Sequence, residues 1–226
     1  MHSPLDTRIP ATYGSFLATR PSEADEDVHM LPGVVDHVIE RCSEPGHLVL
    51  DPFAGFGTTL ERAVALGRRA IGIELLPERV SSVRRHVPEA TVIEGDARGL
   101  LRVLSDALEQ DPTSSVDLVL TSPPYMTVDH HPADPLTAYE AEGGDYVRYL
   151  EELALVAEQC GQVVRPGGYV VWNVADIHHR GTTTHLIADC SQVLESHFGP
   201  VATTIIEWDT LPHDLVADAL LVVRRH

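Results

Sequence analysis

The chain has 226 residues, with 16 basic residues against 34 acidic ones and a formal net charge of −18. Its 43% hydrophobic and 22% charged residues match a folded globular protein and exclude wholesale disorder. No apolar run approaches the roughly 18 residues of a membrane span, and the opening MHSPLDTRIPATYG lacks the basic start and apolar stretch of a secretion signal. Cys42, Cys160 and Cys190 are scattered and form no CxxC pair. They read as reduced thiols of a cytoplasmic protein rather than a disulfide framework or a zinc site. Every basic residue is arginine, so Schiff-base, pyridoxal-type and P-loop lysine chemistry are excluded. A charge of −18 repels a polyanion except at a local basic patch, which disfavours DNA or RNA as a partner.

Residues 1–28 are polar, contain prolines and end in the acidic run Glu23, Asp25, Glu26, Asp27. They read as a loose arm, and 29–226 as a single domain. Short apolar runs then alternate with helical patterns. LVLD (48–51), AIGIE (70–74), TVIEGD (91–96), VDLVLTS (116–122), YVVWNVA (169–175), TTIIEW (203–208) and ALLVVRR (219–225) read as seven strands. Helices are predicted over 58–66, 77–86, 97–108, 145–164 and 184–196, the fourth ended by Arg165-Pro166-Gly167-Gly168. Such alternation predicts a doubly wound α/β sheet, Rossmann-like and mostly parallel. The link 209–218 is too short for a crossover helix, so the last strand is expected to be antiparallel.

The first of these strands runs into Asp51-Pro52-Phe53-Ala54-Gly55-Phe56-Gly57-Thr58-Thr59. Glycines at 55 and 57 let backbone approach a ligand where a helix begins. Leu60 stands where a dinucleotide fingerprint needs its third glycine. Glu74 closes the next strand and suits ribose hydroxyls, while Asp96 closes the third and can accept from an adenine amine. Asp51, beside the loop, suits a cationic amino-acid moiety rather than a pyrophosphate, which favours S-adenosylmethionine over NAD.

The fourth strand ends in Thr121-Ser122-Pro123-Pro124-Tyr125. Two prolines without N–H groups stiffen a turn that presents acceptors. The Ser122 oxygen and the Pro123 carbonyl can hold both hydrogens of an NH₂ group, and Tyr125 offers a face for a planar ring. Accepting those hydrogens turns the nitrogen lone pair toward an electrophile.

Asp-Pro-Phe-x-Gly-x-Gly-Thr-Thr together with Ser-Pro-Pro-Tyr resembles the S-adenosylmethionine-dependent amino-methyltransferases of cytosine N4 or adenine N6 in DNA, and their relatives acting on RNA bases. The likeness covers most of 29–175, and His29-Met30-Leu31-Pro32 with its following helix resembles the family's flanking cofactor helix. It implies a seven-stranded methyltransferase sheet. It also implies that Phe53, Gly55, Gly57 and Thr58 line the methionine part, Glu74 the ribose and Asp96 the adenine. Ser122, Pro123, Pro124 and Tyr125 would form the catalytic turn, with direct in-line methyl transfer to nitrogen.

The stretch 126–168 leaves no room for a separate sequence-reading region, and Arg62, Arg68, Arg69, Arg79, Arg84 and Arg85 read as a solvated helix face. The loop 126–143 is long, acidic and placed at the ligand-entry rim, where His130 or His131 can take the released proton and Tyr139 can touch substrate. Asn173 and Asp176, near the end of the fifth strand, are further candidate substrate residues. His178, His179 and His185 lack any HExxH-like spacing, so no metal is expected. Trp172 and Trp208 are read as core. The expected function is N-methylation of an exocyclic amino group of a nucleobase in DNA, RNA or a nucleoside. The alternatives are a small amine or guanidine acceptor, and a catalytically silent nucleoside-binding subunit, against which the intact Ser122–Tyr125 turn speaks.

Overall fold

The computed structural model describes residues 3–21, 29–109, 115–126 and 145–226. Its centre is built from strands too apolar to tolerate water on either face. β2 (Leu48–Asp51), β3 (Arg69–Glu74) and β5 (Val116–Thr121) are buried almost throughout, as continuous apolar runs require in a sheet covered on both sides. Between them run α3 (Thr58–Ala65) and α4 (Pro77–His86), the latter opened by a proline whose missing N–H would have had no helical partner. β4 (Thr91–Glu94) follows, then a single 3-10 turn (Ala97–Gly99) leading into α5 (Leu100–Glu109). β2, β3, β4 and β5 pair in parallel in the order β5-β2-β3-β4.

The C-terminal half completes the sheet. α6 (Tyr146–Val163) is capped by the Asp145 carboxylate on the Val147 N–H, and β6 (Val164–His179) pairs parallel to β5. α7 (Leu186–Phe198) leads to β8 (Ala202–Trp208), and the short link 209–214 returns as β9 (Leu215–Arg224), antiparallel to both β6 and β8. The antiparallel last strand and the doubly wound α/β class are as expected. Helices lie on both faces. Leu100, Leu104, Leu153, Val156, Leu186 and Leu194 pack against one side, and Val35, Val38, Ile39, Leu60, Val80 and Val83 against the other.

Among the described residues the sheet has nine strands rather than seven. The first addition corrects the loose-arm expectation for part of residues 1–28. Arg8–Ala11 forms β1, parallel to β8, and Tyr13–Ala18 forms α1, capped by Thr12. Leu5, Ile9, Ala11 and Phe16 of this segment are buried, so it closes the sheet edge instead of trailing from it. The helix after His29-Met30-Leu31 is α2 (Pro32–Cys42), whose Val34, Val35, Val38 and Ile39 join the second core. The other addition is β7 (Thr182–Thr184), which forms a hairpin with the end of β6. Its two-residue turn, Arg180-Gly181, has positive φ at both positions (47° and 88°), the twist a tight hairpin requires. All three cysteines are buried and unpaired, and no helix among the described residues is long and apolar enough to cross a membrane.

The Arg165-Pro166-Gly167-Gly168 sequence does end the helix, but within a strand. β6 already pairs with β5 at Val164, and the register shifts before Leu118 meets Tyr169. Gly168 sits at this shift, close to the Asp117 carbonyl. A methyl group there would fall 2.7 Å from that oxygen and 2.7 Å from Val164 Cγ1. Backbone on one side and a core valine on the other leave no room to yield. Gly168→Ala is therefore expected to lower stability by about 2–3 kcal/mol, read as a lower urea midpoint with an unchanged slope.

Candidate active site

Strand order decides where a site can form. From β2 the chain goes to β3 on one side, while β5 lies on the other, so connections diverge above the ends of β2 and β5. A doubly wound sheet opens a crevice there. Asp51 ends β2 and Thr121-Ser122 ends β5, so the two sequence motifs face the same crevice.

The glycine loop is held by its neighbours' backbone and by two carboxylates. The Phe53 N–H donates to Asp51 Oδ1 (3.0 Å), the Ala54 N–H to the Ile73 carbonyl (2.9 Å), and the Gly55 N–H to Glu74 Oε2 (2.8 Å). Gly55 and Gly57 have φ of 54° and 87°, and Gly57 caps α3 at Thr58. A Cβ at Gly55 would meet nothing nearer than the Phe53 carbonyl at 3.9 Å, so the loop is open there, whereas at Gly57 Val83 fills the space at 2.8 Å. Glu74, 7% exposed, also accepts from the Leu76 N–H through Oε1 (2.9 Å). Each of its oxygens retains a further lone pair for a ligand hydroxyl.

Asp51 is buried, and that burial pushes its carboxyl up to about 6, aided by the nearby charge of Glu74. Hydrogen bonds from Thr121 and the Phe53 N–H oppose the shift. The Thr121 hydroxyl donates to the same Oδ1 at 2.6 Å, which ties the glycine loop directly to the Ser-Pro-Pro-Tyr turn. Asp96 sits at the far end of the loop–strand row and caps the 3-10 turn. Burial would raise its carboxyl, but the Arg98 guanidinium and N–H hold it below the usual range. Any ligand amine reaching Asp96 shares it with Arg98.

On the acceptor side, Pro123 is buried and Pro124 exposed. Ser122 Oγ and the Tyr125 hydroxyl are 3.1 Å apart, and that hydroxyl donates to the Asn173 carbonyl (3.2 Å). The Tyr149 hydroxyl supports the turn from α6 by donating to the Pro124 carbonyl (2.9 Å). Burial pushes the Tyr125 phenol well above its ordinary value, and the Asp218 charge adds to this.

The other candidates are placed differently. The Asn173 amide nitrogen donates to Asp218 Oδ1 (2.7 Å) and to the Ala219 carbonyl (3.2 Å), so it braces β9. Asp176 accepts from the Ile187 N–H (2.9 Å) at the start of α7, with His185 Nδ1 3.4 Å from its other oxygen. His130, His131 and Tyr139 lie outside the described residues. Trp172 is fully buried. Trp208 is only partly so: its indole N–H donates to Asp218 Oδ2 (2.8 Å), and its ring meets Phe16 edge-on at 5.7 Å. Phe16 in turn stacks on His29 at 4.4 Å, so the N-terminal segment walls the same rim beyond β8.

Of the arginine row, Arg69, Arg84 and Arg85 are exposed, as a solvated face requires, and Arg62, Arg68 and Arg79 are half-buried. Arg62 makes two bonds to Asp36 (2.7 and 2.9 Å), Arg68 reaches the carbonyls of Ser43 and Leu66, and Arg84 that of Val92. Arg79 lies over the Phe56 ring at 4.7 Å. Thr121, Tyr149 and Asp218 are the supporting residues that the sequence pattern did not single out.

A glycine loop at the switch point, a carboxylate closing β3 and an antiparallel last strand define the fold class of S-adenosylmethionine-dependent methyltransferases. Magnesium protoporphyrin IX methyltransferase from Synechocystis PCC 6803 superposes with a TM-score of 0.55 at 17% identity, over 86% of this chain and 77% of the other. A family model described as DNA methylase matches residues 32–85, which carry α2, the glycine loop and Glu74. Over those residues the chain is similar to that family, the amino-methyltransferases of the N6/N4 type. Residues of the chain are 33% identical over 139 positions to the 4-amino-L-phenylalanine/4-methylamino-L-phenylalanine methyltransferase of Streptomyces pristinaespiralis, covering 55% of this chain and 42% of that protein. The DNA adenine methyltransferase YhdJ of Escherichia coli (strain K12) is 41% identical over 58 residues, 26% of this chain and 20% of its own. The chain thus spans less than half the length of these two relatives.

Proposed function

We propose that this protein is an S-adenosylmethionine-dependent N-methyltransferase whose acceptor is an amino group on a planar ring, as in a nucleobase. The observation that carries the reading is the direct Thr121–Asp51 hydrogen bond, which sets the Ser122–Tyr125 turn beside the glycine loop. The residues fit the cofactor: the loop opens at Gly55, and Asp51, Glu74 and Asp96 offer acceptors for an ammonium group, a ribose and an adenine amine. When bound, S-adenosylmethionine supplies a methyl group activated by its sulfonium. Asp51 would favour the cationic end, Glu74 would hold the ribose, and Phe53, Gly55, Gly57 and Thr58 would line the methionine part. Ser122 and the Pro123 carbonyl would accept the acceptor's two N–H bonds and leave its lone pair facing the methyl carbon. The methyl carbon would pass to the nitrogen with S-adenosylhomocysteine as the leaving group, and the nitrogen's surplus proton would go to solvent water. Positioning supplies most of the rate.

A second reading, a small aryl amine as acceptor, is supported by the charge of −18 and by the bonds that hold Arg62 and Arg68 within the fold. The similarity to an enzyme named for 4-amino-L-phenylalanine points the same way. The test is S-adenosylhomocysteine release with cytidine, adenosine, 4-amino-L-phenylalanine, tRNA and single- and double-stranded DNA. Turnover on at least one amine is expected, and silence on all of them overturns the reading. A rate on DNA or RNA that collapses with added salt selects the polymer, and a salt-insensitive rate on a free amine selects the small molecule.

A further inference from the structure

β5 pairs with β6 as far as Thr121 opposite Trp172, and the next carbonyl along β6, that of Asn173, is met by the Tyr125 hydroxyl. This contact fixes the direction of a short chain of hydrogen bonds. A carbonyl has no proton to give, so Tyr125 must spend its single proton on Asn173. The phenol oxygen can then only accept from Ser122, 3.1 Å away, and Ser122 spends its own single proton there. What Ser122 has left is lone pairs.

We propose that Tyr125, through its hydroxyl, is a positioning residue that makes Ser122 an obligate hydrogen-bond acceptor, so that the site selects a ring carrying N–H over an otherwise similar ring carrying only acceptor oxygen. The inference rests on the amino-methyltransferase reading and assigns the specificity of that same site. Its surroundings hold the chain in place. The Asn173 side chain is pinned to Asp218 and Ala219, and Asp218 to the Trp208 indole, which leaves the Asn173 carbonyl little freedom. Tyr149 holds the other side of the turn at the Pro124 carbonyl. Neither Pro123 nor Pro124 has an N–H to offer a ring oxygen. Burial and the Asp218 charge keep the phenol protonated at neutral pH, so the direction does not reverse.

A ring carbonyl brought to this turn would face oxygen lone pairs on Ser122 and Pro123 and lose its own water. Sites built for a polar hydrogen reject analogues lacking it strongly, so the acceptor-only partner should bind roughly a hundredfold more weakly. In Tyr125→Phe the ring stays, but the Ser122 proton is released to rotate and donate.

The experiment measures turnover of cytidine, adenosine and 4-amino-L-phenylalanine and competitive inhibition by 3-methyluridine, 1-methylinosine and 4-nitro-L-phenylalanine, none of which keeps an N–H beside its oxygen. It uses the full chain and the Tyr125→Phe, Ser122→Ala and double variants. Unchanged S-adenosylhomocysteine affinity identifies variants that remain folded. The expected result is that Tyr125→Phe narrows the amine-over-acceptor gap about tenfold, the size of one hydrogen bond's contribution. Ser122→Ala should narrow it too, and adding Tyr125→Phe to Ser122→Ala should change nothing further. A gap unmoved by Tyr125→Phe, or a Tyr125→Phe effect of equal size with and without Ser122, overturns the inference while leaving the methyltransferase reading intact. Absence of wild-type turnover on every amine overturns that reading and this one with it.

Discussion

Exchanging Asp51 for asparagine is expected to leave the fold standing and to weaken S-adenosylmethionine binding by about a hundredfold or more. Asparagine keeps an oxygen for the Phe53 N–H and the Thr121 hydroxyl, the two groups that Oδ1 serves. It removes the negative charge and turns the second oxygen from an acceptor into an NH₂ donor. At the effective dielectric of a protein site, a unit charge pair near 4 Å is worth about 4 kcal/mol, and the part of this surviving desolvation of the ligand sets the loss. The same carboxylate makes binding depend on pH. Its carboxyl stands at about 6, so below that value the free protein carries a proton that a cationic ligand must displace. Wild-type affinity should therefore fall as pH drops through 6, and Asp51→Asn should be flat across the same range in titration calorimetry.

Stability follows with the opposite sense. The folded value is raised above the unfolded one, near 3.9 for an aspartate, so in this window the folded state binds more protons. The contribution to unfolding free energy declines as pH rises from about 4 to about 6, by an amount on the order of 3 kcal/mol, and is constant above both values. Burial raises Asp218 to about 6 as well, against bonds from Trp208 and Asn173, so Asp51→Asn should remove about half of the combined slope. A slope left intact in Asp51→Asn would mean that this carboxyl titrates near its ordinary value.

The parts of this design that the sequence made legible are local. A strand ending in Asp-Pro-Phe-Ala-Gly-Phe-Gly has to turn sharply and start a helix. Glu74 and Asp96 stand at the next two strand ends because strand and helix lengths in such a sheet are nearly fixed. The hidden parts depend on partners far along the chain. Nothing in Arg8–Ala11, four residues with a proline, signals a strand until β8 offers its edge nearly two hundred positions later. Asn173 is a candidate substrate residue because it lies near the end of a parallel strand, and the antiparallel return of β9, which no local pattern shows, sets Asp218 beside it and takes its amide. Asp176, a candidate on the same ground, accepts from the Ile187 N–H at the start of α7. The partners of Arg62 and Arg68, Asp36 and Ser43, lie on other elements, so local pattern did not show them. Tyr149 carried no signal beyond helical periodicity, although its hydroxyl reaches the Pro124 carbonyl.

Gly72→Ala tests how the glycine loop is seated. Gly72 lies inside β3, opposite Asp51 on β2 and Val92 on β4, and no unusual backbone angle explains it. Close approach does: an added Cβ would fall 2.6 Å from Leu60 Cδ1 and 2.8 Å from the Ala54 Cβ. Leu60 is fully buried and Ala54 nearly so, and Ala54 is further tied by its N–H to the Ile73 carbonyl. A methyl group here lifts the loop away from β3 and strains the Gly55–Glu74 hydrogen bond beside it. The variant should lose about 1–3 kcal/mol of stability and, in addition, about tenfold in S-adenosylhomocysteine affinity. Moving the methyl instead of adding one separates the two effects. In Gly72→Ala/Ala54→Gly the loop can settle again, so affinity should return most of the way. Stability should recover less, because Leu60 remains crowded and the new glycine costs roughly 0.5–1 kcal/mol of backbone entropy. If affinity stays low while the loop has its space back, the loss comes through α3 and Leu60, and the glycine loop is not seated by its contact with β3.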